Sequence, residues 1–288
     1  MSVMSSGRCL AVALAVALSA SACAKAPPTE KGNKEPAMSE DTSQSRTVDG
    51  YTYTTAPVVA QIGPHRYAFP ANFYDDQIGP SVGGGIALSF IWPGLQAAAP
   101  GDRPTRSMED HYRTVTASID YLDAVPASEL LPRLSNTEAT TEAGSVNRND
   151  PRRRLDLRKA GTERFGLIPY AIDEERMAQF GNEYQKQFGE PVTRNPRKED
   201  EWYIARAANG MLATFIKCDQ PEGGNEGLAI QGDRLVPDES VKVSSCTHYF
   251  VDSNDNLGVT LFYPRVLLKD WQAMEEVTRA ALAKYKVR

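Results

Sequence analysis

Two cysteines, Cys218 and Cys246, stand at the ends of apolar runs, and this arrangement constrains the chain more than any other feature. Residues 210–217 (GMLATFIK) run into Cys218, and residues 247–251 (THYFV) leave Cys246. Residues 257–263 (LGVTLFY) follow across an Asp/Asn-rich turn at 251–256, so the last two runs are predicted to be antiparallel neighbours. A bond between the two cysteines closes a loop of about 28 residues and is worth about 3–4 kcal/mol in the chain-entropy model. The competing reading is two thiols or half a metal site, because His248 lies two residues past Cys246. A zinc site needs four ligands at recognisable spacing. With 3 His in the whole chain and no C-x-x-C, the disulfide is the better reading.

The N-terminus reads as a secretory signal. Arg8 is followed by the apolar run 10–18, which is far short of the roughly 20 residues of a membrane span. Small residues follow, and Ala20-Ser21-Ala22 fits an A-x-A cleavage site. Cys23 directly after that site resembles the lipobox of bacterial lipoproteins, in which the cysteine is acylated. Ala20 stands where that family prefers Leu. The competing outcome is plain cleavage that leaves Cys23 a free thiol. Lipidation of Cys23 implies anchoring, each buried CH₂ adding about 0.8 kcal/mol. Ala24 after the cysteine implies the outer membrane by similarity to lipoprotein sorting. Residues 23–47 read as a flexible tether, polar and nearly free of apolar side chains. Cleavage removes Arg8 and no acid, so a chain that starts with 32 basic and 37 acidic side chains stays acidic. That balance argues against nucleic acid as a partner.

Two α+β halves are predicted, at 48–135 and 150–288, joined by the polar stretch 136–149. In the first, strands are predicted at 51–54, 58–62, 66–69, 86–92 and 114–122, with one helical turn at 107–111. The run 86–92 alternates strictly, with Ile86, Leu88, Phe90 and Trp92 on one face. Gly83-Gly84-Gly85 precedes a strand and not a helix, so it reads as a turn and not a phosphate loop. Residues 127–131 make at most a short helix before Pro132. In the second half, the basic cluster at 152–159 reads as an exposed strand rim or as a patch for lipid phosphates or an acidic partner. Pro169 marks an edge strand. Asp173 caps a helix over 174–188 that ends at Gly189. After Pro264, apolar positions from Leu267 to Tyr285 keep a helical stripe. The fold class expected is α+β: antiparallel sheet sections covered by the helix at 174–188 and the C-terminal helix, with one disulfide.

No catalytic signature is visible, and no cofactor or metal is expected. Neither G-x-S-x-G nor H-E-x-x-H occurs. His111 beside Glu109 and Asp110 is a candidate base, but with no nucleophile in view an exposed helical histidine is the better explanation. Asp252, Asn254 and Asn256 echo the start of a calcium loop, yet lack its later Gly and Glu.

Against this background the C-terminal pattern is informative. Phe215-Ile-Lys-Cys218, Cys246-Thr-His-Tyr-Phe250, Tyr263-Pro-Arg265, Leu268 and Trp271 resemble a group of bacterial envelope lipoproteins. So do residues 63–72, with Tyr67 and Pro70, and 88–95. Some members of that group are immunity proteins against toxins delivered by type VI or type IV secretion. The resemblance implies a periplasmic protein that binds a toxin or effector and does no chemistry of its own. The alternatives are an envelope assembly lipoprotein and a hydrolase whose site is assembled from distant residues. Loops at 93–106, 191–200 and 219–227 are the candidate interface rims.

Overall fold

The computed structural model describes residues 44–81, 85–137, 142–196 and 199–288. Its first half contains β1 (Ser45–Val48), β2 (Tyr51–Thr54), β3 (Pro57–Ile62), β4 (His65–Pro70), β5 (Ile86–Ile91), α1 (Met108–Tyr112), β6 (Thr114–Tyr121) and α2 (Ala127–Leu134). The second half adds β7 (Lys159–Ala160), β8 (Ile168–Ala171), α3 (Glu174–Phe188), β9 (Glu201–Arg206) and β10 (Leu212–Cys218). It closes with β11 (Leu228–Gln231), β12 (Arg234–Pro237), β13 (Ser245–Asp252), β14 (Leu257–Pro264), α4 (Trp271–Tyr285) and β15 (Lys286–Val287). The class is α+β.

One antiparallel 8-stranded sheet, in the order β5-β6-β14-β13-β10-β9-β8-β7, takes strands from both halves. The junction is β6 against β14, where Ile119 faces Val259 and Ala117 faces Leu261. Strand alternation sends Leu88, Phe90, Ile119, Val259, Leu261, Phe250 and Ile216 to one face, where all are buried. Each such side chain contributes about 1.5–3 kcal/mol by leaving water. α4 lies on that face through Trp271, Met274, Ala281 and Leu282. The same core takes Tyr67 and Phe69 from a smaller sheet, β15-β4-β3. At the β3–β4 turn, Gly63 has φ +56°, and a Cβ there would lie 2.2 Å from the Tyr121 ring. Only glycine meets both demands.

The opposite sheet face is covered in part. Leu131 of α2 packs on Trp202, Ile204 and Phe215. α2 continues through Pro132 to Leu134, beyond the predicted stop at 131. The carbonyl that Pro132 leaves unbonded is that of Ser128, in the first turn of the helix. α3 has the predicted bounds, with Asp173 accepting from the Glu175 and Arg176 amides and Gly189 left-handed at φ +79°. It does not cover the sheet core as expected. It packs on the short helical turn Val146–Asn149, and its buried Met177 and Phe180 lie outside both core clusters.

Other differences have local causes. β1 opens at Ser45, inside the stretch read as tether, because it pairs along its length with β2. Of the basic cluster, Lys159 is exposed on the edge strand β7, while the arginines form no free patch. Asp150, fully buried, pairs with Arg152 and Arg153, and Arg154 pairs with Asp156. Arg158 stacks 3.8 Å over Trp202 and donates to the carbonyls of Pro151, Arg152, Tyr170 and Asp200. β8 is not the edge, since β7 pairs outside it. The β11–β12 hairpin, unpredicted, turns on Gly232 with Gln231 opposite Arg234. β15 ends the chain as a strand on β4, where a helical end was expected.

Candidate functional site

The predicted disulfide joins Cys218 to Cys246. The two are direct cross-strand partners in β10 and β13, with Cα atoms 4.1 Å apart, and both are buried. Cys23 lies outside the described residues, as do the signal segment, the tether up to residue 43, and Gly83 and Gly84.

His248 is held away from both cysteine sulfurs' chemistry. It sits fully buried under α4, where Glu275 Oε1 accepts from His248 Nε2 at 2.9 Å and from the Thr214 hydroxyl at 2.6 Å. Tyr263 hydroxyl lies 3.2 Å from His248 Nδ1. A carboxylate only accepts, so Nε2 carries the proton and Nδ1 accepts from Tyr263. Burial pushes the His248 pKa below its ordinary value and keeps the ring neutral. Burial pushes Glu275 up, but the bonds from His248 and Thr214 and the charge of Arg279 outweigh it and hold the carboxyl below its usual range. This network ties the sheet to α4. Among the described residues, no three His, Cys, Asp or Glu side chains gather to hold a metal ion. Of the calcium-like set, Asp252 accepts from the Asn254 amide and Asn256 donates to the Leu122 carbonyl, while the neighbouring Asp255 accepts from Tyr67 and pairs with Lys286.

The surface feature of consequence is a cleft of about 600 Å³ where the first half meets the β13–β14 hairpin. Its walls come from the loop around Asp75 and Asp76, residues 103–107, α1, and the ends of β6 and β14. Ser107 caps α1 by accepting from the Asp110 amide, and its hydroxyl donates to the Asp110 carboxylate at 2.7 Å. Glu109 holds Arg234 through two 2.7 Å bonds, tying α1 to β12. Two apolar side chains stand exposed on the cleft, Met108 at 66% and Phe262 at 46%. Phe262 is on the sheet face that α2 leaves open, in a cross-strand row with Thr116, Thr247 and Lys217.

His111 lines the cleft and is exposed. Among the described residues it is not hydrogen-bonded to a nucleophile or an acid, and Ser107 is engaged as a cap, so no nucleophile–base pair is assembled. Of the three candidate rims, 93–106 borders the cleft. At 191–200, Arg194 is consumed by Glu174 and Glu199. Asp219, in the third, receives the Ser245 amide and hydroxyl. Arg106, Met108 and Phe262 were not singled out from sequence. Phe262 had a signal: it interrupts the polar side of a strand whose other face is Leu257, Val259, Leu261 and Tyr263.

No protein-family model and no curated protein matches this chain. A solved structure does: Smlt3025, an immunity protein of the Stenotrophomonas maltophilia type IV secretion system, with a TM-score of 0.80 and 43% identity. The match covers 85% of this chain and 99% of that one. This chain belongs to the Smlt3025 immunity-protein family. Membership bears out the resemblance carried by the cysteine strands and Tyr263-Pro-Arg265.

Proposed function

We propose that the chain is a lipid-anchored periplasmic immunity protein that neutralises a secreted toxin by covering its working surface. The observation that carries this reading is the 43% identity to Smlt3025 over nearly all of that protein. The buried Cys218–Cys246 bond supports an oxidising compartment. Ala20-Ser21-Ala22-Cys23, followed by Ala24, supports acylation of Cys23 and an outer-membrane anchor facing the periplasm. Neutralisation is by binding alone, with the cleft as the contact surface.

The test is co-expression of the full chain with the product of the neighbouring gene directed to the periplasm. The expected result is a one-to-one complex and a toxin without activity. Survival of toxin activity in the presence of excess chain refutes the reading for that toxin. Anchoring is tested apart from it: labelled palmitate is incorporated into the native chain and not into the Cys23→Ser variant.

A further inference from the structure

Most of the charged side chains around the cleft are arranged in ion pairs. Arg103 holds Asp75 at 2.9 Å, Arg46 holds Asp102 at 2.9 Å, Arg113 lies 3.7 Å from Asp110, and Arg234 holds Glu109. Asp76 accepts from the amides of Ile78 and Gly79. Arg106 is left over. Its guanidinium makes one hydrogen bond, to the Thr114 hydroxyl at 2.7 Å, and among the described residues no carboxylate lies within 4.0 Å of it. A guanidinium has five N–H donors, so most of its hydrogen-bonding capacity is unused among the described residues. Arg106 lines both this cleft and an adjoining cavity of about 560 Å³, and it is half-buried. Burial disfavours its charged form, and the neighbouring acids offset only part of that cost. A buried or half-buried arginine elsewhere in the fold is treated differently. Arg158 has four carbonyls, and Arg265 has Glu201, Tyr203 and the Asp219 carbonyl.

We propose that the cleft receives an acidic side chain of the toxin, flanked by apolar residues, with Arg106 taking the carboxylate and Met108 and Phe262 covering its neighbours. This rests on the immunity reading and adds to it the place and the chemistry of recognition. The occupant is a protein segment because Met108 and Phe262 line the same cleft and stand exposed, and a small anion on Arg106 leaves both in water. An arginine fork between two apolar anchors also has the make-up of an interface hot spot: a charge pair in the centre, shielded from water by its rim. The pair replaces water on an arginine that already bears part of its desolvation cost, which is why Arg106 and not the exposed, paired Arg103 is the recognition group.

The test uses the full chain and two probes. The first is a blocked tripeptide, leucine–glutamate–leucine, compared with leucine–glutamine–leucine and followed by amide NMR. The glutamate peptide is expected to shift the amides of residues 106–111 and 260–263 and to bind at least about tenfold tighter than the glutamine peptide. The preference is expected to vanish in Arg106→Gln. Equal binding of the two peptides, shifts elsewhere, or no binding at millimolar peptide overturns the proposal. The second probe is the neighbouring gene's toxin. Arg106→Gln and Met108→Glu are each expected to weaken the complex by at least about thirty-fold at unchanged melting temperature. Met108 is exposed, so its substitution tests the surface and not the fold. A native chain that inhibits the toxin, with both variants inhibiting equally, removes the cleft and leaves the immunity reading standing. A chain that inhibits nothing but keeps its glutamate preference does the reverse.

Discussion

Replacing Glu275 by alanine removes the acceptor on which the clamp between sheet and α4 converges. Two buried donors, the His248 imidazole N–H and the Thr214 hydroxyl, lose their partner, each worth about 1–3 kcal/mol when stranded. Arg279 loses its 3.2 Å contact but keeps the Val251 carbonyl. The expected cost is about 2–6 kcal/mol, the sum for two stranded buried donors. Urea unfolding near neutral pH reads this as a lower midpoint at unchanged slope. The triple change Glu275→Met, His248→Phe and Thr214→Val removes the carboxylate with both of its donors, leaves only the Tyr263 hydroxyl without its partner, and is expected to cost less than Glu275→Ala alone. The sign of the pH dependence follows from the imidazole. Folded His248 has a pKa below its ordinary value of about 6.5, so below that pH the unfolded chain takes up the proton first. Stability from this group is complete above about pH 6.5 and falls as pH drops, by at most about 1.4 kcal/mol per pH unit, until folded His248 itself titrates. His248→Phe is expected to flatten that part of the curve. A Glu275→Ala midpoint within about 1 kcal/mol of the native one, or a His248→Phe curve parallel to the native curve, refutes the clamp.

Reducing Cys218–Cys246, whose separation is 28 residues, is expected to lower the unfolding free energy by about 3.6 kcal/mol, read from urea curves with and without reductant. Gly63→Ala meets both a left-handed backbone and the Tyr121 ring, and is expected to cost about 2–5 kcal/mol by thermal melting. Arg158→Lys keeps the charge yet cannot reproduce the fork to four carbonyls over Trp202, so a lowered melting temperature is expected.

Much of the fold could be read from local pattern because local pattern determines it. The alternation of 86–92, the cap and stop of α3, the stripe of α4 and the Asp/Asn turn between β13 and β14 each follow from chemistry within a few residues. The cross-strand disulfide followed from cysteine count and strand pattern. What escaped depends on partners distant in sequence. Residues 152–159 look like a charged surface until Asp150 and Trp202 are placed beside them. The strand at the C-terminus exists because β4 offers an edge, which nothing near Lys286 announces. β11 and β12 left one local signal, the two-residue turn Gly232-Asp233, but their strands, LAIQ and RLVP, do not alternate in polarity. The cleft was hidden for a different reason. It joins residues 53–116 to 243–264, and an arginine without an acid is recognisable only once the partners of the surrounding charges are placed.

The order of strands in the large sheet sets a timetable. β5 and β6 are made early, but their neighbour β14 belongs to the last part of the chain, so an emerging polypeptide holds that edge open until almost all of it has been synthesised. Such distant pairings form slowly, because long loops must close before any contact rewards them. The cleft is built across this same seam. A partly made chain therefore has no assembled cleft, and the proposed binding surface forms only once β14 is in place.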